Sequence, residues 1–191
     1  RSYQTPAIGP DVSVSYNSLD GIATGLGRGW RTNYDLRLFD GSVDGDGNGT
    51  VSLAERKDND PLVFIGADGR RFLFLYSVAQ KKFISDPKTG LVGAWVDPSP
   101  TQPLPSGVEG VTYKAVLMDN LIRYFGADGR LLRIENLRKK GLTVAWGSSA
   151  GLPVALSVTD DYGRTESLER DSFGAGAGDY LAAIGKRESA G

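Results

Sequence analysis

An all-β chain of successive antiparallel hairpins, stacked into one sheet, is the fold that three features of the sequence predict. Apolar residues recur with period two, as in Val12, Val14 and Tyr16 or Val154, Leu156 and Val158, which is the pattern of half-buried strands. The 26 Gly and 9 Pro punctuate the chain into runs too short for ordinary helices. The pentapeptide GADGR occurs twice, at 66–70 and 126–130, each time between apolar segments. Asp-Gly so placed is a strong hairpin signal, and it predicts a type I′ turn with positive φ at both central residues.

Along the chain, DVSVSY (11–16) reads as a first strand, followed by the glycine-rich stretch GLGRGW (25–30). Gly25, Gly27 and Gly29 permit close backbone approach, and Trp30 supplies an apolar anchor just after them. This is neither a dinucleotide fingerprint nor a phosphate loop, and no helical pattern follows it. YDLRLFDGSV (34–43) reads as a strand; PLVFI (61–65), RFLFLY (71–76) and GLTVAW (141–146) read as strands covered on both faces. Trp95 and Trp146 fall in strand patterns and are expected in the core. DDYGRT (160–165) and SFGAGAGDYL (172–181) are looser hairpins. One stretch breaks the rhythm: Pro98, Pro100, Pro103 and Pro105 make 97–110 a Pro-rich, exposed and largely extended loop between the repeat halves. The whole chain, 1–191, reads as a single β domain.

Residues 44–55, DGDGNGTVSLAE, fit a calcium-loop pattern at every position. Counting from Asp44, Asp46 stands at position 3, Asn48 at 5, Gly49 at 6, Thr50 at 7, Ser52 at 9 and Glu55 at 12. Asp44, Asp46 and Asn48 would supply side-chain oxygens, Thr50 its carbonyl, Ser52 a ligand directly or through water, and Glu55 two oxygens. Ca2+ suits this hard, all-oxygen set better than zinc does. Ser52 and Glu55 also have capping-box spacing, so LAERK can make a turn or two of helix after the loop. The alternative is a polar hairpin tip that needs no metal.

Composition closes several functional classes. Lys plus Arg number 22 against 23 Asp plus Glu, so no overall field draws the chain to nucleic acid, and nucleic acid is not expected as a partner. The basic residues Arg130, Arg133, Arg138, Lys139 and Lys140 read as a solvated strand and turn. There is no cysteine and no histidine, which removes disulfides, thiolate and imidazole chemistry and the usual zinc sites. Catalysis through two carboxylates, as in glycosidases, remains chemically open, but nothing singles out a pair. No apolar run is long enough to span a bilayer as a helix, so membrane insertion is not expected. RSYQTPAIGP (1–10) lacks a signal-peptide pattern, and the absence of an initial Met suggests a mature or excised piece.

The stretch 11–39 resembles the opening segment of Rhs proteins: Tyr16, Asn17 and Ser18, then Leu26, Gly27, Gly29 and Trp30, then Asn33, Tyr34 and Asp35. GADGRLLRI (126–134) and DDYGRT look like the YD-repeat hairpins that the same family strings together. The resemblance covers most of the chain and is strongest at 11–39 and 121–165. It implies a curved YD-repeat-like sheet and a non-enzymatic scaffold, since the family's shells enclose cargo and do no chemistry themselves. The chain is too short to close such a shell and lacks the family's aspartyl cleavage region. A short array leaves strand edges uncapped, so the expected partner is another protein, or a second copy, at an exposed edge.

The function expected is therefore a scaffold or interaction module of a secreted or cell-surface Rhs-like protein, with one calcium ion rigidifying 44–55. The alternatives are a calcium-dependent carbohydrate-binding β-module using Trp30, Trp95 or Trp146 as a platform, and a structural subunit of a cell-surface filament. Aromatic exposure separates the first two: a sugar platform lies in water, whereas scaffold tryptophans are buried.

Overall fold

The computed structural model describes residues 9–24, 26–101, 104–149, 152–171 and 180–187. It is all-β, built from antiparallel sheets whose long member is not closed into a barrel. Four short strands come first: β1 (Val14–Tyr16), β2 (Ala23–Thr24), β3 (Gly27–Arg28) and β4 (Trp30–Thr32). The first pairs with the fourth, and the second with the third. Then follow β5 (Arg37–Asp40), β6 (Pro61–Ile65), β7 (Arg71–Ser77), β8 (Lys82–Ser85), β9 (Trp95–Asp97), β10 (Val111–Val116), β11 (Leu121–Gly126), β12 (Leu131–Asn136), β13 (Gly141–Ser149), β14 (Leu152–Asp160), β15 (Thr165–Asp171) and β16 (Tyr180–Arg187). These make a 12-stranded sheet in unbroken chain order, each strand hydrogen-bonded to the next. The expected hairpin at 172–181 joins β15 to β16, but its turn lies outside the described residues, as do 1–8, Gly25 and Pro103.

Alternation decides which face is buried. Leu38, Phe64 and Phe72 stand opposite one another on β5, β6 and β7, and Val96, Ala115 and Ile134 continue the same inner face. The face closes on itself: the Phe64 and Phe125 rings, from β6 and β11, meet edge to face at 6.4 Å. Register shifts on β10, β11, β13 and β15 bend the second half of the sheet, while the pairings from β5 to β10 through β9 run without one.

Four turns share one geometry, at 66–70, 126–130, 136–140 and 160–164. In each, the first residue accepts the fourth residue's N–H at 3.0 Å and donates its own to the fifth residue's carbonyl at 2.8 to 2.9 Å. Only the fourth residue has positive φ: 78° at Gly69, 73° at Gly129, 63° at Lys139 and 82° at Gly163. These are three-residue loops, a type I turn closed by a left-handed residue, and not the type I′ turns that Asp-Gly predicts. Asp68 and Asp128 stay at negative φ because their Oδ1 atoms accept the N–H of Arg70 and Arg130, which fixes the turn one residue longer.

The helix expected after residue 55 does not form. Ser52 and Glu55 bond as a capping pair would, but only a turn at 53–55 results. The chain is instead drawn onto β7, where Asn59 N–H donates to Tyr76 and Tyr76 N–H to Asp60, both at 2.9 Å. The Pro-rich loop is less exposed than its composition suggests: Pro98 is buried, and Leu104 and Pro105 lie half-buried beside Arg133 and Glu135. Among the described residues no helix is long and apolar enough to cross a membrane.

Candidate metal centre

The loop 44–55 connects β5 to the segment leading into β6, at the solvent-exposed end of the sheet. Its shape is set by side chains accepting backbone amides. Asp44 takes Gly47 N–H at 2.8 Å on one oxygen and Gly49 N–H at 2.7 Å on the other. Glu55 reaches back to Gly45 at 2.9 Å, Asp46 at 3.2 Å and Ser52 at 2.8 Å. Asp46 accepts from Asn48 N–H at 3.0 Å. Gly49, with φ of 87°, occupies the sharp-turn position that the calcium pattern reserves for glycine.

One oxygen from each of Asp44, Asp46 and Glu55 lies within 4.8 Å of the other two. Three carboxylates this close repel one another, and the backbone N–H groups and the Ser52 side chain that bond Asp44 and Glu55 offset part of that repulsion. An oxygen-coordinated divalent cation fits such a donor set. Of the other predicted ligands, Asn48 Oδ1 accepts the Thr50 N–H at 2.9 Å and its hydroxyl at 2.6 Å. Thr50 and Ser52 remain in the loop, where Ser52 N–H is bonded to Glu55. The Asp44 carboxyl titrates below its usual range, chiefly because Gly49 N–H bonds its charged form. Glu55 is lowered by Ser52, through the side chain first and then the backbone amide.

Arg56, directly after Glu55, ties the loop to the core, and sequence reasoning gave no sign of it. Its guanidinium is buried, paired with Asp40 at 2.7 Å, donating to Ser42 Oγ at 2.7 Å, and lying over the rings of Tyr76 and Phe83 at 5.7 and 5.0 Å. Tyr113 completes the cluster by donating to Asp40 at 3.0 Å. Burial alone would raise the Asp40 pKa, but the Arg56 hydrogen bond, Ser42 and the Arg56 charge outweigh it and hold it low. Burial and the neighbouring Asp40 push the Tyr113 hydroxyl up to about 12, so it remains a donor.

The tryptophans divide. Trp146 is half-buried, donates Nε1–H to the Leu131 carbonyl at 2.6 Å and carries the guanidiniums of Arg37 and Arg130 at 5.5 and 5.8 Å. Trp95 has the Lys82 ammonium 3.9 Å from its ring centre. Trp30, expected as a buried anchor, is 44% exposed and lies against the still more open Tyr16, ring centres 5.0 Å apart. The strand period explains it: Arg31, not Trp30, points inward from β4, and its guanidinium binds buried Asp20 and the Asp35 carbonyl. Of the basic residues read as a solvated surface, Arg133 is buried, paired with Glu135 at 2.9 Å and Asp161 at 2.8 Å.

No protein-family model, no curated protein and no solved structure matches this chain.

Proposed function

We propose that the chain is a non-enzymatic scaffold or protein-interaction module of a secreted or cell-surface, Rhs-like protein, with one Ca2+ held by the loop 44–55. The observation that carries this reading is the meander itself. Twelve strands follow chain order, and four of their turns repeat one hydrogen-bond pattern. Such a quasi-repeat array presents surface and edges, and the Rhs and YD-repeat resemblance at 11–39 and 121–165 supports the same reading. Among the described residues β16 is the outermost strand on one side of the sheet, and in this reading a protein partner or second copy adds at a strand edge.

In this reading Asp44, Asp46 and Glu55 supply carboxylate oxygens, while Asn48, Thr50 and Ser52 complete the set once the cation draws the loop in. Ca2+ would neutralise the carboxylate repulsion, and the adjacent Arg56 would pass the ordering on to the aromatic core. The test is a thermal melt in millimolar Ca2+ and in chelator, for the wild type and for Asp44→Ala/Glu55→Ala. The expected result is a melting temperature raised by several degrees in Ca2+, corresponding to roughly 2 to 3 kcal/mol at saturating ion, and no rise in the double variant. Identical melts in Ca2+ and chelator would reduce the loop to a polar turn.

Carbohydrate binding is a second reading, favoured by one observation: the exposed Tyr16–Trp30 pair, 58% and 44% accessible. Trp30→Ala abolishing retention on a glycan array, with an unchanged melt, would support it.

A further inference from the structure

The outer face of β5 to β7 carries a feature that neither the loop nor the scaffold uses. Phe39, Val63 and Leu73 stand directly opposite one another across the three strands, and Arg37, Ile65 and Arg71 form the next row on the same face. All six point away from the main core. Ile22, from the N-terminal segment, descends over this face. With Phe39, Val63, Ile65, Leu73 and Arg71 it bounds a cavity of about 430 Å³.

Five of these six residues are apolar, and Phe39, 48% accessible, leaves the cavity open to solvent. The sixth, Arg71, makes no hydrogen bond or ion pair among the described residues. Asp20, whose carboxylate feels the Arg71 charge, is already bonded to Arg31 and to Ile22 N–H. Arg37, across Ile65 in the same row, is turned instead onto the Trp146 ring. The result is an apolar hollow of ligand-binding size with one uncommitted guanidinium on its wall. Methylene groups are favourably buried there, and arginine matches a carboxylate with two parallel N–H groups.

The geometry points to a site for a free, small amphiphile with one unbranched apolar tail and a carboxylate head: the tail lies along Phe39, Val63 and Leu73, and the head binds Arg71. The probes are dodecanoate, below its micellar concentration, and the uncharged dodecanol, each titrated calorimetrically. Wild type is expected to bind dodecanoate saturably at one site. Arg71→Gln should weaken dodecanoate about tenfold or more while moving dodecanol less than about twofold, since only a charge-assisted hydrogen bond is lost. Leu73→Glu should abolish binding of both, and an unchanged thermal melt in each variant certifies the fold; Val63→Glu replaces it should that melt shift. No saturable binding by the wild type, or equal dodecanoate affinity in Arg71→Gln, would overturn the assignment.

Discussion

The two GADGR tips have the same sequence and the same turn, yet they hold different parts of the molecule. The first, 66–70, receives the N-terminal segment. Ser15 Oγ donates to the Ala67 carbonyl at 2.7 Å, Asn17 Nδ2 to Asp68 at 2.9 Å, and Asp20 with Asn17 packs over Gly69. The second, 126–130, is spliced onto the sheet's own first strand: Leu38 N–H donates to the Gly129 carbonyl at 2.8 Å, and Arg37 forms a bridge with Arg130. One tip is therefore covered by side chains and the other by backbone. The difference shows that a local repeat fixes its turn, while the neighbour it meets fixes its structural role. It also changes the edge argument: β5, which stands at one end of the long sheet, is partly covered by the second tip.

The largest contrast is expected at the left-handed glycines. At Gly129 an added Cβ would lie 1.9 Å from the Leu38 carbonyl oxygen, so the tip must leave β5. Gly129→Ala should cost about 4 kcal/mol in denaturant unfolding, combining the left-handed backbone with the lost contact. At Gly69 the nearest atoms, at 3.0 to 3.1 Å, belong to the Asp20 and Asn17 side chains, which can yield. Gly69→Ala should cost about 2 kcal/mol, mostly backbone strain. Equal losses would mean that the two tips are held alike.

Acid should separate the tips next. Burial would raise the Asp20 pKa, but the Arg31 hydrogen bond, with the Ile22 amide and the charges of Arg31 and Arg71, outweighs it and lowers the pKa. A carboxyl depressed in the folded state gives stability that is present above its ordinary value of about 4 and is lost as pH falls through the folded value. Below about pH 4, amides of the β1–β4 ribbon should lose exchange protection before that of Leu38. The smallest contrast lies in the arginines. Arg70→Ala removes an exposed pair, 76% and 54% accessible, and should cost under about 0.5 kcal/mol. Arg130→Ala also loses the stack on Trp146 and should cost about 1 kcal/mol more.

These contrasts mark how far the sequence could be read. Period-two alternation located the strands because a sheet with one buried face imposes it, and GADGR located two hairpins. A turn was legible near 138–140, but not that it repeats the GADGR geometry, because Lys139, not glycine, takes its left-handed position. Burial of Arg31, Arg56 and Arg133 was illegible, because each depends on a carboxylate brought close by folding: Asp20, Asp40 and Asp161. The candidate metal loop was legible as a spacing, and the carboxylates of Asp44, Asp46 and Glu55 do converge. The spacing does not show the local partner of Asn48, whose amide oxygen accepts from Thr50. The latch through Arg56 lies beyond any twelve-residue pattern.

The coil's dependence on the second tip is tested most directly by amide hydrogen exchange at Leu38, in the wild type and in Gly129→Ala. Protection of Leu38 comparable to Val63, in the interior of the sheet, and lost in the variant while the β13–β14 ladder keeps its own, is the result predicted. Exchange of Leu38 at the rate of a free edge amide in the wild type, or protection unchanged by Gly129→Ala, would contradict it.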